Sequence, residues 1–134
     1  MSVATPALSV AKPVAAPRSI ARLAYRYATR LYVVAIAAQV ALAGVFVFVG
    51  PQTIELHKTF AHAFILLSTV IFLSAFLGRL PSPARRDALV TSGLLLVQGG
   101  LVHALVISPF IAAFHPVNAL LMFWWAIGTA RRAG

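Results

Sequence analysis

The chain has 134 residues, of which 61% are hydrophobic and 10% charged, and a mean hydropathy of +0.94. A soluble domain averages about 45–50% apolar and about 25% charged residues, so this composition excludes a chain that covers itself in water and makes lipid the expected solvent. Cysteine is absent, which excludes disulfides, thiolate zinc sites, iron–sulfur ligation and thiol catalysis, and the net charge of +9 comes from eleven Lys and Arg against Glu55 and Asp87.

In chain order, residues 1–19 are rich in Ala, Pro, Ser and Val, with Pro6, Pro13 and Pro17 and no helical period. They read as a disordered tail ahead of one membrane domain, residues 20–134. Arg22, Arg26 and Arg30 then recur every four residues, with Tyr25, Tyr27 and Tyr32 among them, as expected of a collar in the headgroup region. Four uncharged stretches follow, 31–49, 59–77, 88–107 and 110–129. At 1.5 Å per residue each is about 28–30 Å long, the thickness of the hydrocarbon core. Gly50-Pro51, Gly78 with Pro81 and Pro83, and Ser108-Pro109 supply the breaks between them. Short turns require antiparallel neighbours, so the expected fold is all-α, an integral membrane four-helix bundle running up-down-up-down. Pro116 leaves two readings of span four open, a start near His115 or a kink after a start at Pro109.

Ten of the eleven cations flank the stretches on one side and only Lys58 lies on the other. The positive-inside rule therefore places both termini in the cytoplasm of a multi-pass protein of the inner (plasma) membrane. The same bias explains the basic charge without a nucleic-acid partner. A basic start, an apolar run and Ala41-Leu42-Ala43 resemble a cleavable signal, but the run continues through Val49, so it reads as a span.

Spans one and three each hold a glutamine followed by small residues, and each glutamine precedes a histidine at the mouth of the next span. His57 follows Gln39 by 18 residues and His115 follows Gln98 by 17. The matched offsets point to two pseudo-repeated helical hairpins. Gly93, Gly99, Gly100 and Ala104 read as a surface for close helix approach, and Gln39, Gln98, Ser68, Thr69 and Asn118 as interhelical hydrogen-bond partners. Trp124 and Trp125 read as interface anchors.

All four histidines, His57, His62, His103 and His115, fall at one depth. Ionisable side chains inside a membrane are costly and face the bundle interior, which makes this depth the candidate site. Neutral imidazole ligates haem iron, and a four-helix bundle can present two imidazoles from diagonal helices to the two faces of a porphyrin. Spans two and four are the diagonal pair, so His115 pairs with either His57 or His62 as metal ligands. Glu55, Gln39 and Gln98 join the three histidines as candidate cofactor-binding residues. Zinc is the rival, but it needs three converging histidines where no carboxylate is near, and only Glu55 is available on that side. No catalytic residues are assigned.

The segment Ile54-Glu55-Leu56-His57-Lys58 resembles the outer-loop and second-helix motif of haem A synthases. The resemblance implies a four-helix bundle with haem-ligating histidines on its second and fourth helices, His57 and His115 here, with Glu55 as the nearby acid. This chain holds one such bundle instead of two. Over residues 22–132 it also resembles an uncharacterised family of small four-span prokaryotic membrane proteins, through the histidine-rich start of span two and the segment His115-Pro116-Val117-Asn118-Ala119-Leu120. The resulting expectation is a small membrane protein binding haem b near the outer leaflet for electron transfer or haem handling. The alternative is a non-catalytic accessory subunit packed against a larger respiratory or photosynthetic membrane complex.

Overall fold

A computed structural model describes residues 16–134, with side chains from residue 19. The expectation of a disordered tail over residues 1–15 lies outside the described residues, whereas 16–19 are already helical. Helix α1, Ala16–Val49, runs for 34 residues, about 51 Å, because nothing in its Ala-rich text interrupts the backbone ladder. It is longer than a bilayer core, so the Arg22 to Arg30 segment is a continuation of the first span.

Gly50 ends α1 at φ +137°, a conformation open to glycine, and a Cβ there would also strike the Gln52 side chain. The 3-10 turn Pro51–Thr53 follows, with the Thr53 hydroxyl donating to the Gly50 carbonyl at 2.8 Å. Helix α2 is Ile54–Leu77. It closes with Arg79 N–H bonded to the Phe76 carbonyl and Leu80 N–H to the Ala75 carbonyl, the paired bonds of a Schellman ending. The left-handed position of that ending falls on Arg79, at φ 49°. Gly78 lies one residue earlier, where any Cβ would run into Ala21 of α1 and the Ser74 carbonyl.

Helix α3, Ser82–His103, starts with Pro83 in its first turn, where a missing N–H costs nothing. It ends four residues before the expected 107: Ala104–Val106 form a 3-10 turn and Ser108 is extended. The fourth span has two pieces. Helix α4, Pro109–Ala112, begins with proline at its first position, and α5, His115–Arg132, begins anew with Pro116 in its first turn. Proline cannot donate to the Ala112 carbonyl and its ring crowds that carbonyl, so the ladder is interrupted at Ala113 and Phe114. Both open readings of span four thus hold in part.

Around the bundle α1 lies beside α2, α2 beside α3, α3 beside α5 and α5 beside α1, which makes α2 and α5 diagonal. Four helices are long and apolar enough to cross a membrane. The chain is an all-helical, multi-pass membrane bundle, with no strand among the described residues. Each inward stripe repeats at helical spacing: Tyr25, Ala28, Tyr32, Ala35 and Ile36 on α1, Phe64, Ser68, Ile71 and Ala75 on α2, Met122 and Ala126 on α5. Large apolar residues such as Val34, Phe48, Leu66, Leu96 and Leu120 face outward, the arrangement lipid requires.

Two packing expectations are corrected. Tyr25 and Tyr32 are buried core residues, with Tyr32 edge-on to Phe64 at 5.5 Å, so only Tyr27 has the exposure of a headgroup ring. Gly93, Gly99 and Gly100 have nothing within 4 Å of an added Cβ, so they do not mediate helix contact within the bundle. The tight core occupies the arginine-rich half. On the histidine side, Asn118 is the one buried residue among the described segments 37–63, 92–107 and 109–121.

Candidate functional site: the histidine end

The break at Ala113 and Phe114 makes His115 the first residue of α5, and His57 sits in the first turn of α2. Their rings meet across the bundle diagonal, with centroids 6.5 Å apart and planes inclined by 60°. Gln98, on α3 between them, holds His115. Its Oε1 accepts from Asn118 Nδ2 at 2.7 Å, which turns its Nε2 toward His115 Nε2 at 3.1 Å. An amide N–H can only donate, so His115 Nε2 is the acceptor and its ring proton lies on Nδ1, facing the Gln98 carbonyl at 3.4 Å. Asn118 donates also to the Leu94 carbonyl at 3.0 Å. One side chain from α3, Gln98, and one from α5, Asn118, therefore fix a neutral imidazole in one tautomer.

His57 is braced from the other side. Gln39 Nε2 of α1 donates to the His57 backbone carbonyl at 2.9 Å. The ring Nδ1 of His57 and the Oε1 of Gln39 are buried with no hydrogen-bond partner. Each such orphan costs about 1–3 kcal/mol, so two of them at one depth mark a place suited to an added ligand or water.

The other sequence candidates are not drawn in. His62 is exposed and its Nδ1 turns back to the Thr59 carbonyl of its own helix at 3.0 Å, and His103 does the same with Gly99 at 2.8 Å. Five residues separate His57 from His62, about 140° around a helix, so they cannot face one target. Glu55 is exposed in an ion pair with Lys58 at 2.8 Å. No group of three His, Asp or Glu side chains gathers among the described residues, so the zinc arrangement is not assembled. Of the expected interhelical partners, Ser68 meets Ser92 of α3 at 3.1 Å, whereas Thr69 bonds its own helix at Ile65.

The His57–His115 spacing has a chemical meaning. Imidazole nitrogen binds a transition metal at about 2.0–2.1 Å, which puts the centroids of two rings on opposite faces of one ion about 6 Å apart. The observed 6.5 Å is close to that, with both His115 nitrogens turned to Gln98. The donor set, two imidazoles and no thiolate or carboxylate, suits haem iron. The packing of this half is loose, and His57 and His115 are the residues that would hold haem, His115 Nε2 only by giving up its Gln98 hydrogen bond.

A second polar cluster, missed in the sequence, lies at the opposite end. Asp87 is 1% exposed, and it takes Arg132 Nε at 2.8 Å and Arg86 at 3.4 Å. Arg132 also lies over the Trp125 ring at 5.5 Å, and Trp125 Nε1 donates to the Asp87 carbonyl at 3.5 Å. Trp125 is thus a core contact, while Trp124 is exposed as an anchor would be. Tyr25 bonds the Ala84 carbonyl and Arg26 the Ala133 carbonyl, both at 3.2 Å. These contacts tie α1, α3 and α5 together, which makes the cluster structural. The only sequence cue was one acid among the ten cations of that side.

Comparison with known proteins adds one relationship. No curated protein and no solved structure matches the chain. The family of unknown function DUF6220 matches residues 39–105, half of the chain, beginning at Gln39 and including His57 and Gln98 but stopping short of His115. The chain belongs to the DUF6220 family.

Proposed function

We propose that the chain is a b-type haem-binding membrane protein, with His57 and His115 as the axial ligands, acting in electron transfer or haem handling. The observation that carries the reading is the approach of these two rings, from diagonal helices, to 6.5 Å. Bound iron supplies one-electron exchange. The chain's own residues orient the ligands: Gln98 and Asn118 hold the His115 ring, and Gln39 fixes the backbone of His57. The Gln98 hydrogen bond leaves His115 Nε2 without a proton, the form of imidazole that binds metal. The ratio of ten cations to one supports an arginine end in the cytoplasm and a histidine site toward the outer leaflet of the plasma membrane.

The test is a pyridine haemochrome assay on the detergent-purified protein expressed with ample haem. The expected result is a b-type spectrum at one haem per chain, and the absence of a Soret band would overturn the proposal.

A second reading, an accessory subunit of a larger membrane complex, rests on the outward glycines of α3. Gly93, Gly99 and Gly100 leave its backbone open to a helix from another chain, close approach being the common basis of packing in lipid. Co-purification of a stoichiometric partner tests it, and a stable, monodisperse monomer would count against it.

A further inference from the structure

Five of the described arginines, Arg22, Arg30, Arg79, Arg85 and Arg131, are left without an ion pair or hydrogen bond, and two of them share a groove. The chain has two acids in all. Glu55 pairs with Lys58 at the histidine end, and Asp87 is taken by Arg132 and Arg86. Arg30 and Arg131 have no ion pair or hydrogen bond among the described residues. Both line a groove of about 370 Å³ between α1 and α5, together with Val33, Ile127, Ala130 and Gly134. The groove has a direction. Val33 lies three residues beyond Arg30 along α1, and Ile127 four residues before Arg131 along α5. Each step leads from the helix end toward the middle of the bilayer, by about 4.5–6 Å. Two guanidinium groups thus stand at the rim and an apolar floor extends inward below them. A free anion would use only the rim, and a neutral lipid only the floor.

We propose that this groove binds one anionic phospholipid, its phosphate held by Arg30 and Arg131 and its first acyl segment laid along Val33, Ile127 and Ala130. Guanidinium groups match phosphate oxygens in geometry, and the low dielectric beside the acyl chains strengthens the pairing. The lipid supplies the counter-charge that the chain lacks. This site lies at the opposite end from the histidines and does not depend on their function.

The experiment is native mass spectrometry of the full chain released from nanodiscs of phosphatidylcholine, or of phosphatidylcholine with phosphatidylglycerol. The expected result is one retained phosphatidylglycerol per chain and no comparable phosphatidylcholine adduct. In the R30Q/R131Q variant the affinity should fall about 25-fold, the product of about fivefold for each surface arginine. R22Q/R79Q removes two exposed arginines of the same end that do not line the groove, and it should keep the adduct. Ala130→Leu fills the floor without touching charge and should also weaken retention, which keeps the test valid if the double variant folds poorly. Equal retention in R30Q/R131Q and R22Q/R79Q would overturn the proposal in favour of a diffuse basic collar. Displacement of the adduct by millimolar inorganic phosphate would overturn it in favour of a plain anion site.

Discussion

Gln98 uses both ends of its amide, accepting from Asn118 and donating to His115, and so joins α3 to α5 through two hydrogen bonds. Removing it by Gln98→Leu strands the His115 acceptor and should cost about 1 kcal/mol in an unfolding titration in mixed micelles. Thr69→Val should cost close to nothing, because Thr69 is exposed and its hydroxyl bonds its own helix. A comparable contrast applies to the two acids. Asp87→Asn weakens a charge-assisted pair at a buried carboxylate and should lower stability by about 2 kcal/mol, whereas Glu55→Gln removes a solvent-facing ion pair and should leave the midpoint unchanged. Residue type and depth for Gln39, Gln98, Asn118 and the histidines were legible in the sequence. Which histidine turned inward was not, because His57 and His62 sit in one amphipathic stretch and their rotational setting depends on where α2 packs. The role of Asp87 was hidden for the same reason: its partner Arg132 lies 45 residues away.

At the scale of elements, hydropathy and the Gly and Pro breaks located all four spans, since a bilayer demands long apolar helices and punctuates them sharply. The ends were less legible. Helix α1 continues back to Ala16 because arginines in a collar are also good helix formers, so nothing in their composition marks a start. The end of α2 carries its left-handed residue at Arg79 although Gly78 stands next to it, since Gly78 is committed to the close approach of α1. A side chain in that conformation costs about 1–2 kcal/mol, of which glycine's greater unfolded-state entropy returns about 0.5–1. Arg79→Gly should therefore raise stability by about 0.5–1 kcal/mol, and Gly78→Ala should lower it. Thermal denaturation of the two variants in one detergent checks both signs.

For the whole molecule, the charge asymmetry yields an orientation that accessibility can test. With no native cysteine, a single one placed at Gln52 or Ser82 reports on its own side of the membrane. In intact cells a membrane-impermeant maleimide should label Gln52→Cys and leave Ser82→Cys unlabelled until the cells are opened. The reverse pattern would invert the topology and move the histidine site to the inner leaflet. The molecule divides into a tightly packed arginine half and a looser half where two histidines face each other, a division that suits a scaffold at one end and a ligand site at the other. The most direct measurement of that claim is the dithionite-reduced absorption spectrum of four variants purified in parallel with haem: His57→Ala, His115→Ala, His62→Ala and His103→Ala. The first two should lose the six-coordinate b-type bands and the last two should keep them. Retention of those bands in His57→Ala, or their loss in His62→Ala, would contradict it.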